Sequence, residues 1–171
     1  MRTYLLFVVV ALWLGGCTGL PDQVEPVGGF DSGRYLGTWY EIARLDHSFE
    51  RGLSRVTAEY SLREDGSIRV LNRGYDAEEQ GWKTAEGRAK FVGPRTQGHL
   101  KVSFFGPFYA SYVIFELDPA YSTAYIAGYN HDYLWLLSRN PQISDAAKTR
   151  FVEVVERKGF SVDDLIWVDQ S

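Results

Sequence analysis

Polar and apolar residues alternate one for one over long stretches of the chain, the period-two pattern of strands with one wet and one dry face. The clearest stretch is residues 83–91, where Thr84, Glu86, Arg88 and Lys90 interleave with Ala85, Gly87, Ala89 and Phe91. Val56, Ala58, Tyr60 and Leu62 alternate with Thr57, Glu59, Ser61 and Arg63, and Glu64-Asp65-Gly66-Ser67 then supplies the turn chemistry of a hairpin. The return strand is read at 68–75. Further strands are expected at 38–45, 99–105, 110–117, 123–129 and 133–138, parted by breaks such as Gly93-Pro94-Arg95 and Asp118-Pro119-Ala120. Eight consecutive strands at hairpin spacing, with no crossover helix between them, imply an antiparallel meander, and closure removes its sticky edges. One helix follows: Ser144 suits its N-cap, Ala147, Phe151, Val154 and Val155 fall on one stripe, and Gly159 stops it. The fold expected is all-β, an eight-stranded antiparallel up-and-down β-barrel with one C-terminal helix and a short final strand at 165–168.

The N-terminus has a different pattern. Met1 and Arg2 precede an apolar run from Tyr4 to Leu14, too short for the roughly 20 apolar residues that cross a bilayer. It reads as a signal peptide over 1–16. Leu14-Gly15-Gly16-Cys17 resembles the lipobox of bacterial lipoproteins, which implies cleavage before Cys17 and lipid on its sulfur and amine. The next residue is Thr18 rather than the aspartate that marks retention at the inner membrane, so the resemblance implies an outer-membrane anchor with the domain facing the periplasm. Residues 17–29 mix Pro, Gly and acids without period, as a lipidated N-terminus and tether would. The folded domain is expected over 30–171.

Charge and chemistry narrow the function. Lys and Arg number 18 against 22 Asp and Glu, a net charge of −4 that becomes −5 once the leader with Arg2 is removed. No basic block invites nucleic acid. A single cysteine excludes an internal disulfide and a thiolate-rich zinc site. No Gly-x-Ser-x-Gly elbow, phosphate-binding loop or His-Glu-x-x-His pair is present, so the chain is read as no enzyme, with no cofactor and no metal.

Gly37-Thr38-Trp39-Tyr40 at the head of the first strand resembles the glycine-x-tryptophan signature of the lipocalins. Asp118-Pro119-Ala120-Tyr121 resembles the family's second signature, with Pro119 and Ala120 replacing its threonine and aspartate, and Ser138-Arg139-Asn140-Pro141 resembles the third. The stretch from Asp132 to Arg139 and the closing Ile166-Trp167-Val168 are similar to the bacterial outer-membrane lipocalins of the apolipoprotein D branch. This resemblance implies that Gly37, Trp39 and Arg139 are structural, with the arginine covering the tryptophan ring at the closed end. Glu41 shares the parity of Trp39, and a buried carboxylate there would need a partner such as Arg139.

Residues sharing the inward face with Trp39 are candidates to line a ligand cavity: Ala58, Tyr60, Val70, Asn72, Ala85, Ala89, Val102, Phe104, Tyr112, Ile114, Tyr133 and Trp135. For the last four the opposite face is equally apolar, and the family register decides. Ala58, Ala85, Gly87 and Ala89 leave room, and an apolar space with few polar groups favours an acyl chain. The family implies a fatty acid or lysophospholipid ligand, with storage or transport for envelope maintenance under stress. Other readings stay open. His47 or His99 near the mouth could ligate a haem iron. Phe49 and the run Phe104-Phe105-Gly106-Pro107-Phe108-Tyr109 could serve a structural lipoprotein without cargo, guide a lipid inward or form the face of a homodimer.

Overall fold

The computed structural model describes residues 18–171; the leader read at 1–16 and Cys17 lie outside the described residues. Eight antiparallel strands follow one another: β1 (Gly37–Arg44), β2 (Leu53–Leu62), β3 (Ile68–Asp76), β4 (Gly81–Phe91), β5 (His99–Phe105), β6 (Phe108–Leu117), β7 (Thr123–Ala127) and β8 (Leu134–Ser138). Each pairs with the next and β1 pairs back onto β8, so the sheet closes on itself. A short helix, α1 (Ser32–Tyr35), precedes the barrel, and α2 (Asp145–Arg157), a 3-10 turn (Val162–Asp164) and β9 (Ile166–Trp167) follow it.

Two cores result, one on each face of the sheet. Inside, Trp39, Tyr60, Ile68, Val70, Ala89, Leu100, Ile114, Ile126 and Leu137 pack together. Outside, Val113, Phe115, Tyr125, Ala127, Leu134 and Leu136 meet Phe151, Val154 and Val155 of α2. Strands β6 to β8 are therefore covered on both sides, which is why they read as continuous apolar runs rather than clean alternation. The Ser144 hydroxyl accepts from Ala147 N at 3.2 Å and caps α2, Asp145 and Arg157 sit at the ends that suit their charges, and Gly159 takes φ +87° beyond the last turn.

Several boundaries differ from the pattern. Strand β7 stops at Ala127 and β8 starts at Leu134. Between them Gly128 N bonds Tyr133 O, while Asn130 Nδ2 donates to Asp132 Oδ2 and Asn130 Oδ1 accepts from Asp132 N. Local side-chain bonding of this kind competes with strand pairing. Strand β2 starts at Leu53 through a bulge between Ser54 and Thr57, with Arg55 at φ +51°. Two elements have no counterpart in the reading of the sequence, α1 and the 3-10 turn.

Residues 18–29 lie against the barrel over much of their length. Val24 is buried between barrel and helix, Lys158 Nζ donates to Gln23 O at 3.0 Å, and Val27 exchanges backbone bonds with Ile114 and Gly98. Gly98 allows the approach: a Cβ there would lie 2.8 Å from Val27 Cγ2 and 2.9 Å from Ile114 O.

The strand order fixes two ends. The turns β2–β3, β4–β5 and β6–β7 gather with α1 at the end where β1 begins, which is the closed end. The segments 45–52, 77–80, 106–107 and 128–133 gather at the other, which is the mouth.

Candidate functional site: the barrel lumen

The floor of the lumen is aromatic. Trp39 has no exposed surface, and its indole donates to Tyr35 O at 2.8 Å. The Arg139 guanidinium lies 4.0 Å from the Trp39 ring centroid and donates to the carbonyls of Thr38 (2.8 Å), Leu36 (2.8 Å) and Arg34 (3.0 Å). One cation therefore covers the ring and collects the carbonyls at the end of α1. Gly37 links the two at φ +95°, with Arg139 Nη1 3.3 Å from where a Cβ would be. Above the tryptophan, the Tyr112 hydroxyl bonds those of Tyr35 at 2.7 Å and Tyr60 at 2.8 Å. Burial holds all three phenols above their ordinary pKa, so they stay neutral.

The sequence-read lining distributes unevenly along the lumen. Tyr60, Val70, Ala89 and Ile114 are buried in the lower half beside Trp39, and Tyr112 spans the tyrosine triad. Asn72 stands in register with Ala58 on one side and Ala85 on the other, and Val102 stands between Ala89 and Ala110. Ala85 and Ala110 share the inward face of Ala89 and Tyr112 yet are exposed. The upper half of the lumen is thus open while the lower half is packed. Two of the small residues do not provide the room expected of them. A Cβ on Gly87 would lie 2.9 Å from the Phe104 ring, so Phe104 occupies that space, and Ala89 is packed into the inner core. Asn72 Oδ1 is buried without a hydrogen-bond partner among the described residues, a polar atom left for something else in the lumen to meet.

A charged cluster closes one side of the mouth. Arg44 Nη1 donates to Glu41 Oε1 at 2.7 Å and Arg44 Nη2 to Glu50 O at 2.9 Å, so the partner of Glu41 is Arg44 and not Arg139. The reason is a bulge between Glu41 and Ala43, which turns Arg44 onto the inward face in register with Trp135. Burial pushes Glu41 well above the usual carboxylate range, Glu50 adds to this and Arg44 opposes it. Burial also works to raise Glu50, but the His47 hydrogen bond and charge, the Trp135 indole and Arg44 outweigh it and hold Glu50 below its ordinary value. His47 Nε2 lies 3.0 Å from Glu50 Oε2, which also accepts from Trp135 Nε1 at 3.1 Å. Rings of Phe49, Trp135 and Tyr133 surround His47. The segment 45–52 is thereby pinned across part of the opening.

The haem alternative finds no open ligand in these histidines. His47 is enclosed as described, and His99 faces outward, 3.4 Å from Ser111 Oγ and bonded to the Thr18 backbone. Among the described residues no group of three or more His, Cys, Asp or Glu is placed to hold a metal ion. A crevice of about 410 Å³ outside the barrel, between α2 and β6, is lined by Glu116, Arg150, Glu153, Arg157 and Lys158 and offers no apolar bed for an acyl chain. Of the lumen-facing groups, Tyr35, Arg44, Glu50, Ile68, Leu100, Ala110, Ile126 and Leu137 were not among the lining read from the sequence. Ala110 shares the parity of Tyr112 and was legible there; Arg44 was hidden by the bulge.

Residues 30–170 match the lipocalin-like domain family. The chain is 55% identical over 171 residues to the outer membrane lipoprotein Blc of Vibrio cholerae, covering 99% of each protein, and 53% identical over 150 residues to the outer membrane lipoprotein Blc of Escherichia coli strain K12, covering 88% of this chain and 85% of that one. The cockroach allergen Per a 4 has a similar solved structure, with a TM-score of 0.69 at 25% identity over 90% of this chain and 96% of the allergen. The closed eight-stranded barrel with its C-terminal helix, the Trp39–Arg139 floor and these likenesses lead to one assignment: the chain belongs to the lipocalin family, among its bacterial outer-membrane lipocalins.

Proposed function

We propose that the barrel holds one long-chain lipid, a fatty acid or a lysophospholipid, with its tail in the upper lumen and its head at the mouth, and that Cys17 carries the acyl groups that anchor the chain. The observation that carries this reading is the pair Ala85 and Ala110, inward-facing and exposed above a sealed aromatic floor. Space open at one end and closed at the other admits a chain from the mouth and limits its depth. A sixteen-carbon tail contributes roughly 12 kcal/mol at about 0.8 kcal/mol per buried methylene. A micromolar constant needs about 8 kcal/mol, which leaves about 4 kcal/mol for ordering costs.

The chain is a lipid-binding lipoprotein of the outer membrane and a binding protein rather than an enzyme. Its part in the envelope, on this proposal, is to store or carry lipid for membrane maintenance under stress. Native mass spectrometry of the protein taken from its own envelope tests both halves. A mass increment of one fatty acid or lysophospholipid, with acyl groups on Cys17, is the expected result. A bare chain that also takes up no lipid on addition would leave a structural lipoprotein without cargo.

A further inference from the structure

The N-terminal segment determines where an anchor leaves the domain. It runs along the outside of β5 and β6: Val27 bonds Ile114 and Gly98 near the closed end, whereas Gly19 O accepts from Ser111 Oγ at 2.6 Å, three residues nearer the mouth. Thr18, the last described residue before Cys17, bonds His99 through its backbone beside Ser111, so the chain leaves the domain on the outer face of β5 and β6. Two residues from Gly19 to Cys17 reach at most about 7 Å, and Ser111 lies roughly 10 Å along β6 from Phe108. At the mouth end of that strand pair, Phe105 and Phe108 flank the β5–β6 turn and are 83% and 77% exposed.

The one acid on β4, Glu86, is held by Arg63 and Arg69, which leaves two lysines as the unpaired charges of β4 and β5. Lys90 and Lys101 stand directly opposite each other on the outer face, in the same row as Ser111. Like charges so placed repel, and among the described residues neither forms an ion pair; both lie near the Tyr109 ring. From 99 to 112 the chain has no Asp or Glu, whereas other mouth segments carry Asp46, Glu78, Glu79 and Asp132. Two bare aromatic rings at the mouth, a pair of lysines roughly 13 Å further along the strands and an acyl anchor leaving from the same outer face match the layering of a phospholipid surface, apolar inside and phosphate above.

We propose that the β5–β6 hairpin is a membrane-insertion element, with Phe105 and Phe108 in the acyl layer, Lys90 and Lys101 against lipid phosphates, and the barrel mouth consequently tilted onto the bilayer. This rests on the reading of Cys17 as lipid-bearing. It makes the membrane itself the surface from which cargo enters, since the opening and the wedge share one end of the barrel.

The test uses the full, membrane-processed protein in vesicles of phosphatidylethanolamine and phosphatidylglycerol. Cys17 is the sequence's one cysteine, and its thioether leaves an introduced thiol unique. Gly106→Cys places an environment-sensitive fluorophore between the two phenylalanines, at a position where a Cβ meets nothing within 4 Å. Glu64→Cys places the same probe at the closed end. The residue-106 probe is expected to shift to the blue and lose most of its emission to lipids brominated in their acyl chains, while the residue-64 probe stays open to aqueous iodide. In the residue-106 background, Phe105→Ser with Phe108→Ser should abolish bromolipid quenching although the protein still floats with the vesicles. Protein that floats but leaves the residue-106 probe open to iodide overturns the insertion alone. A probe shielded from both quenchers assigns the hairpin to a second copy of the chain and also overturns it. Protein that does not float overturns the anchor and the insertion together.

Discussion

Trp39, Glu41 and Glu50 are each tied to a partner that can be removed. Trp39→Ala should cost about 3–5 kcal/mol by large-to-small truncation. Arg139→Ala should be coupled to it by more than about 0.5 kcal/mol in a double-mutant cycle followed by chemical denaturation, and additivity within that margin would separate the ring from the cation. Glu41 and Glu50 respond to pH in opposite senses. With its pKa raised on folding, Glu41 favours the folded state at low pH, and this contribution is lost as pH climbs from the ordinary carboxylate range toward the raised value. With its pKa lowered, Glu50 stabilises the fold above that range and ceases to do so as pH falls through the lowered value. Glu41→Gln keeps an acceptor for Arg44 and cannot ionise. Its unfolding midpoint should exceed the wild type's at about pH 9 and approach it at about pH 4, and the reverse order would mean that Glu41 is ionised in the fold. The sequence made Glu41 legible as an inward acid because Trp39 sets its parity. It did not make Arg44 legible, because the bulge after Glu41 breaks the period on which parity depends.

At the scale of elements, alternation located the half-buried strands, whose two faces are written into neighbouring residues, and the turn breaks between apolar runs located β6 to β8, which are covered on both sides. What escaped it was decided by contacts far along the chain. The final strand was expected at 165–168, and its place beside β1 is the clearest example of what was not legible. β9 pairs with β1 at Ala43 and Arg44, beside the bulge where β2 leaves β1. The tail then bridges the split: Arg55 N donates to Asp169 O at 2.7 Å, and Gln170 Nε2 donates to Glu41 O at 2.7 Å and Val56 O at 3.0 Å. A side chain thus closes a seam that backbone pairing leaves open. Gln170→Ala should destabilise the barrel by about 1–3 kcal/mol and speed exchange of the Arg55 amide. Unchanged exchange there would show that the tail does not seal the seam. The segment 18–29 teaches the same point from the other terminus, because its Pro, Gly and acids have no period to read, and its course is set by Ile114, Gly98 and Ser111.

For the whole molecule, the division of the lumen into a packed lower half and an open upper half decides what the protein can hold. The sequence indicated which residues face inward but not which of them leave space. Ala58, Ala85, Gly87 and Ala89 are alike as small residues, and only the fold distinguishes Gly87, covered by Phe104, and Ala89, sealed in the core, from Ala85, which is open. A blocking substitution therefore belongs at Ala85, where a large side chain has room to enter the lumen without overpacking the floor. Affinity should rise with acyl length until the tail meets the Tyr35–Tyr60–Tyr112 triad, and depend less on the head group. The most direct measurement is titration of delipidated wild type and Ala85→Trp with a long-chain lysophospholipid, followed by isothermal calorimetry alongside thermal unfolding. Saturable one-to-one binding by the wild type, with binding lost in an Ala85→Trp variant that still unfolds cooperatively, is the result expected of a lipid held in the upper lumen. Equal binding by both folded proteins, or none by the wild type, would contradict it.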